Sequence, residues 1–157
     1  VQMFVGKQWY DGRSAAVSIN SLLANTDIMA SSAAVAAGVA TQLAIIKAET
    51  GITDAEILHL PILFEDVQGQ AVAHMVGTAN GISLGDAHYG MPDPHGPIIN
   101  GADLFKTQAL TEFAKVNITI HWIEDWDLYH ALDGEAHCGS NTTRVVPTNV
   151  RWWESGR

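Results

Sequence analysis

A single cysteine, Cys138, stands among the 157 residues. An internal disulfide and a cysteine-based metal cluster are therefore excluded within this chain, and a lone cysteine is most often a small buried apolar residue. Positive charge is scarce too: 8 Lys and Arg face 17 Asp and Glu, for a formal net charge of −9. A negative field repels phosphate backbones and argues against nucleic-acid binding, while it favours cationic ligands. Charged residues make up only 16% against 47% hydrophobic, with five Trp, which describes neither a disordered chain nor a coiled coil. No stretch has the roughly 18 to 20 uninterrupted apolar residues of a membrane span. The nearest, Ile28 to Ile46, is Ala- and Ser-rich with Thr41 and Gln42 inside, and reads as a buried helix. No membrane association is expected, and no basic segment followed by an apolar one marks a signal peptide.

Helical and extended patterns alternate along the chain, which predicts an α/β or α+β fold in one unit without a linker. Met3-Phe4-Val5 reads as a short strand and Trp9 to Arg13 as a polar turn. Asp27 is the expected cap of a helix running to about Glu49, stopped by Gly51. Ile28, Val35, Val39, Leu43 and Ile46 recur at steps of three and four and predict one apolar face, with Gly38 and the alanines allowing close approach to a neighbour. Ile57 to Leu60, Ala71 to Val76 and Ile82 to Leu84 read as strands, and Gly90 to Pro97 as a rigid loop. Ile98-Ile99 is expected as a buried strand stub, Ala102 to Lys115 as a second helix, and Ile118 to Ile123 as a strand.

Chemistry concentrates in Tyr129 to Asn141. Gly139 allows close backbone approach beside Cys138, and Gly134 permits a tight turn before it. A thiolate is the reactive form of cysteine, and a nearby imidazolium lowers a thiol's pKa. His137 is poorly placed for that, since neighbouring side chains point to opposite faces of a strand and diverge by about 100° on a helix. His137 reads instead as a structural histidine bonded to backbone, so a nucleophilic Cys138 needs an acid–base partner from elsewhere. Gly81-Ile82-Ser83-Leu84-Gly85 matches the Gly-x-Ser-x-Gly elbow of serine hydrolases, but Gly90 and the prolines after it leave no room for the helix that elbow requires. The seven histidines include no helical i, i+4 pair and no His-Glu-x-x-His, and Asp125 with Asp127 does not form an EF-hand loop, so no metal site is expected.

Gly134-Glu135-Ala136-His137-Cys138-Gly139-Ser140-Asn141 resembles the active-site motif of peptidyl-arginine deiminases, Gly-Glu-Val-His-Cys-Gly-Thr-Asn. Gly90-Met91-Pro92-Asp93-Pro94-His95-Gly96-Pro97-Ile98-Ile99-Asn100-Gly101 is similar to that family's Gly-Ile-Pro-Lys-Pro-Phe-Gly-Pro-Val-Ile-Asn-Gly. Asp125 and Tyr129-His130 stand at the family's distances before the cysteine motif, and Arg151-Trp152-Trp153 resembles its closing Lys-Trp-Trp. With weaker similarity at Ala79-Asn80 and from the long helix to Phe64, the resemblance covers roughly residues 20–153.

The resemblance implies a pentein fold, an αβ propeller of five modules, of which this chain would supply roughly the last two. It implies a Cys138 thiolate attacking the guanidinium carbon of arginine, loss of ammonia, and hydrolysis of the thiouronium intermediate to citrulline. Asn80 matches a cleft residue, and His137 and Gly139 support the nucleophile. Leu132-Asp133 replaces the Arg-His of vertebrate members at the cleft mouth, which opens the choice between peptidyl and free arginine. The family's general acid/base His and its guanidinium-binding Asp residues lie upstream of the matched region. The chain, beginning at Val1 inside what would be one domain, is therefore expected to be incomplete without an N-terminal partner chain of the same precursor. Calcium, which activates vertebrate members, would bind only through that partner. The alternative is a non-catalytic guanidino-binding or storage protein on the same fold. Asn117-Ile118-Thr119 is a glycosylation sequon in a turn, a signature of secretion, whereas a glycan at Asn141 would block the cleft.

Overall fold

Residues 1–143 are described by the structure, a computed structural model, and the closing Arg151-Trp152-Trp153 lies outside them. The N-terminal segment doubles back so that β1 (Gln2–Met3) pairs antiparallel with β2 (Val17–Ser18). Only the start of the expected Met3–Val5 strand forms, because Phe4 turns into the left-handed region (φ 57°) and drives its ring into the core. Trp9 to Arg13 is a turn closed by Trp9 N–H donating to the Arg13 carbonyl at 2.8 Å.

Ser18 caps α1 (Ile19–Ala24), and Asn25 then caps α2 (Thr26–Thr50), its side chain accepting from the amides of Asp27 and Ile28. The long helix is thus present almost as read, but the cap is Asn25. Asp27 lies in the first turn, where the helix dipole favours its charge. Gly51 ends the helix in the left-handed conformation (φ 73°), its N–H donating to the Lys47 carbonyl at 2.9 Å.

The expected burial of this helix is overturned. Ile28 is buried, but Val39, Ile45 and Ile46 are 54%, 59% and 48% exposed, and a side chain started at Gly38 would meet no other part of the protein within 4 Å. By length and composition α2 could cross a membrane, and only 6% of its most apolar window is buried. Small Ala and Ser side chains spread around its circumference, so the helix has no sharply divided apolar face to fold inward. Its Ser32–Ile46 side forms one wall of an open apolar groove of about 710 Å3, with Ile57 to Phe64 as the other.

Ile57 to Leu60 is not a strand. A 3-10 turn (Asp54–Glu56) leads into irregular chain, whose Leu58 and Leu60 pack against Met91, Ala109 and Phe113. β3 (Phe64–Val67) and β4 (Gln70–Ala73) form a hairpin around Gln68-Gly69, both at positive φ (55° and 82°), as a two-residue hairpin turn requires. The strand expected from Ala71 to Val76 stops at Ala73, and Met75 and Val76 continue as fully buried loop residues.

β5 (Ile82–Gly85) and β6 (His88–Pro92) run antiparallel, and β6 is the centre of a three-stranded sheet. The loop read over Gly90 to Pro97 is therefore strand as far as Pro92. The proline is tolerated there because it closes the strand rather than interrupting it. β7 (Ile98–Ile99) pairs with β8 (Ala102–Asp103), and both isoleucines are exposed, at 58% and 40%, where burial was expected. α3 (Leu104–Ala114) starts two residues later than read, because Ala102 and Asp103 are taken by that hairpin. Asp103 caps it by accepting from the amides of Phe105 and Lys106.

β9 (Thr119–Ile123) lies parallel to β6 over five residue pairs, so β6, α3 and β9 form a strand–helix–strand crossover. Met91, Ala109 and Phe113 fill it, flanked by Ile118, Ile120 and Trp122 from the alternating face of the last strand. The fold is α/β with a mixed sheet. Ser83 sits exposed on β5 and is followed by a turn and β6, not by a helix, so no nucleophile elbow forms.

A second core holds the functional region in place. Met3, Phe4, Ala15, Leu22, Ile28, Met75, Val76 and Trp126 form one buried cluster. Trp126 is its anchor, with Nε1–H donating to the Gln8 carbonyl at 2.7 Å and Phe4 and Trp9 against its ring. Truncating a fully buried tryptophan costs about 3–5 kcal/mol. The turns after Val76 and after Trp126 both hang from this cluster.

Candidate active site

Two loops meet to make the site. The first, Gly77 to Gly81, is a turn closed by Asn80 N–H donating to the Gly77 carbonyl at 2.8 Å. The second runs from Asp125 through a 3-10 turn (His130–Leu132) to Ser140. They are joined twice at Asn80: His137 N–H donates to its carbonyl at 3.1 Å, and its Nδ2 donates to Cys138 Sγ at 3.3 Å.

Cys138 is exposed, contrary to what a lone cysteine usually does. Its thiol pKa is held below the ordinary value, first by a hydrogen bond from the Glu135 backbone and then by the Asn80 amide, against weaker opposition from desolvation and the Glu135 charge. Donors aimed at sulfur stabilise the thiolate over the thiol, and the thiolate is the nucleophile. Cys138 N–H donates in turn to the Glu135 carbonyl at 2.8 Å, which fixes the tight turn.

Gly139 has a steric reason to be glycine. A Cβ there would overlap the Tyr129 ring, so the chain passes flat against it. His137 has an exposed ring and is anchored through its backbone, its N–H donating to the Asn80 carbonyl and its own carbonyl accepting from Ser140 N–H and Oγ. Among the described residues, no imidazole hydrogen-bonds the thiol. Leu132 is exposed beside Asp133, which adopts the left-handed conformation (φ 62°) at the end of the 3-10 turn, a conformation Asp tolerates better than most residues. Asp133 and Asn80 line one cavity of about 170 Å3, together with Gly77, His130 and Glu135. Asn80 thus meets both the Cys138 sulfur and the cavity that Asp133 lines, whereas the Leu132 side chain is exposed.

Beneath the turn lies a polar cluster to which sequence reasoning assigned no role. Asp125, His130 and Glu135 are only 2%, 3% and 4% exposed. Glu135 Oε1 accepts from Gly77 N–H at 2.7 Å and lies 3.0 Å from His130 Nδ1. Asp125 Oδ2 accepts from Ala136 N–H at 2.8 Å. Burial, and then the Glu135 charge, push the Asp125 carboxyl up to about 7. The signal available beforehand was their even spacing, five residues apart, in a segment that contains Trp126.

The family model for protein-arginine deiminase (PAD) matches residues 1–154. Human protein-arginine deiminase type-3 is 32% identical over 137 residues, covering 87% of this chain and 20% of that protein. Mouse type-1 is 32% identical over 138 residues (88% and 20%), and mouse type-4 is 29% identical over 141 residues (87% and 21%). This chain belongs to the protein-arginine deiminase family. It spans about a fifth of the length of those relatives.

Proposed function

We propose that this chain is the nucleophile-bearing part of an enzyme that hydrolyses the guanidinium of arginine, peptidyl or free, to citrulline and ammonia. The observation that carries this reading is the exposed Cys138 thiol, its pKa lowered by Glu135 and Asn80, in the turn that resembles the family's cysteine motif. The thiolate forms a bond to the guanidinium carbon and one C–N bond breaks, ammonia leaving with a proton from a general acid. Water then adds to the S-alkylthiouronium carbon, the C–S bond breaks, and citrulline departs as the thiolate is restored. The general acid/base histidine and the carboxylates that grip the guanidinium belong, in this reading, to an N-terminal partner chain of the same precursor.

In the same reading, β5–β6–α3–β9 is one module of a pentein propeller, and α2 with the β3–β4 hairpin belongs to the module before it. The exposed isoleucines and valine of α2 and the groove beside it are what the partner covers. Among the described residues no group of three or more His, Cys, Asp or Glu side chains is arranged to hold a metal ion. Any calcium dependence is assigned to the partner, and no step above uses it. Native material should convert an acylated arginine ester or free arginine to a ureido product with one ammonia released per turnover. Binding of arginine without ammonia release would favour the guanidino-binding or storage alternative.

Substrate choice is assigned to Leu132 and Asp133. Asp133 borders both the Asn80 cavity and the groove along the β3–β4 hairpin, so its carboxylate can meet the α-amino group of free arginine. An exposed ion pair contributes up to about 1 kcal/mol. Asp133→Asn should therefore lower kcat/KM for free arginine by about 2- to 5-fold while leaving an acylated arginine peptide unchanged. A strong peptide preference untouched by the substitution would show that this residue does not select.

A further inference from the structure

Each of the two buried carboxyls beneath the cysteine turn has one oxygen occupied and one without a partner among the described residues. Glu135 Oε1 accepts from the Gly77 amide and faces His130 Nδ1, leaving Oε2 without a partner. Asp125 Oδ2 accepts from the Ala136 amide, leaving Oδ1 without a partner. Asp125 is tied to the amide of the residue that follows Glu135, and the two carboxyls are buried in the same cluster with His130. Two ionised carboxylates cannot occupy such a site without strong repulsion, whereas one proton between them satisfies both orphan oxygens at once.

We propose that Asp125 and Glu135 form a one-proton carboxyl pair, a positioning element that locks the Cys138 turn against the Asn80 turn and keeps the Asn80 amide on the sulfur. The inference rests on Cys138 being the nucleophile. Neither carboxyl touches the reacting atoms. Glu135 holds the loop that presents Asn80 by its Gly77 bond, and Asp125 holds the residue two before the cysteine. One oxygen of each carboxyl is committed to a backbone amide, so the proposal assigns the shared proton to the two that are left, Asp125 Oδ1 and Glu135 Oε2.

Among the described residues, few charged and titratable groups face the pair. His130 meets it from the 3-10 turn, with Trp9 and Trp126 against the ring, and Asp133 reaches the same cavity from the end of that turn. The Cys138 thiol faces it from the loop above, and thiolate and Glu135 repel. Burial, and then the Glu135 charge, push the Asp125 carboxyl up to about 7, so Asp125 keeps its proton below that pH and loses it above. Its folded value is raised, so its stabilising contribution is complete below the ordinary carboxylate range and is lost as pH rises towards 7. Above that, repulsion loosens the two turns and adds a second negative charge near the thiolate, which opposes its formation.

The test is the rate of Cys138 alkylation by iodoacetamide, a neutral reagent, against pH on native material. The wild-type profile should show the thiol's own ionisation plus a second inflection near pH 7, where reactivity falls below a single titration curve. Glu135→Gln keeps the Oε1 acceptor and supplies an amide hydrogen to Asp125 in place of the titrating proton. It should stay within about 3-fold of wild type at pH 6 and show one inflection only. Glu135→Ala, which leaves Gly77 and Asp125 unpaired, should lose about 10-fold in alkylation rate at pH 7, one pKa unit of thiolate being tenfold.

An unchanged second inflection in Glu135→Gln, or a loss in that variant as deep as in Glu135→Ala, would overturn the proposal. The Gln variant decides the question even where the Ala variant does not fold. Alkylation needs no arginine turnover, so the outcome is independent of the hydrolase reading. A protein with the expected profile but no ammonia release would fail that reading alone.

Discussion

Cys138→Ser should abolish arginine hydrolysis, with kcat falling by at least ~10^3-fold, the scale seen when a covalent nucleophile is removed. The sequence holds no other thiol to take its place. Serine keeps the shape and accepts the Asn80 amide, but a hydroxyl is far less readily ionised than a thiol whose pKa is already lowered by Glu135 and Asn80. Folding should be unaffected, since the side chain is exposed and fills no core space. Near-UV circular dichroism and ammonia release, measured on the same preparation, check both halves. Activity above a tenth of wild type would remove Cys138 from the chemistry.

The second large effect concerns the chain by itself. Expressed alone, the 157-residue chain should release no measurable ammonia from arginine and should self-associate. Around the thiol, among the described residues, stand an amide and backbone donors but no imidazole positioned on the sulfur. Missing general acid/base catalysis alone costs about 10^2- to 10^4-fold. Val39, Ile45 and Ile46 on α2, with Ile98 and Ile99 on β7, leave apolar surface open to other copies. Size exclusion beside an ammonia assay would test this. A monodisperse, active 157-residue species would refute the partner requirement.

How much of this was legible in the sequence depended on whether local or long-range forces decided each element. Gly51 announced its stop because a left-handed C-terminal residue is a local requirement. Thr119–Ile123 was read to within a residue because period-two alternation survives wherever one face is packed, here on α3. The central strand β6 was hidden, since Gly90 and Pro92 speak locally for a loop while its parallel partners on β9 are 31 residues distant. Burial of α2 was misjudged because apolar composition predicts that a surface wants covering, not that this chain covers it. At the site, Cys138 and Gly139 were singled out through the cysteine motif and Asn80 through weaker similarity, and Gly139 has a steric cause in Tyr129 that no spacing shows. The Asp125–His130–Glu135 cluster was missed because scattered acidic residues usually lie on the surface. Only the fold reveals that these two carboxyls are buried and tied to the backbone of both turns.

The central claim is that Cys138 attacks a guanidinium carbon, and trapping with a chloroacetamidine measures it most directly. Such a reagent mimics the planar cation and alkylates a thiolate placed to attack it. Mass spectrometry of native material should find one adduct per chain, on the Cys138 peptide, formed at least tenfold faster than with neutral chloroacetamide and slowed by added arginine substrate. Equal rates with the two reagents, no protection by arginine, or an adduct on another residue with Cys138 free would contradict it.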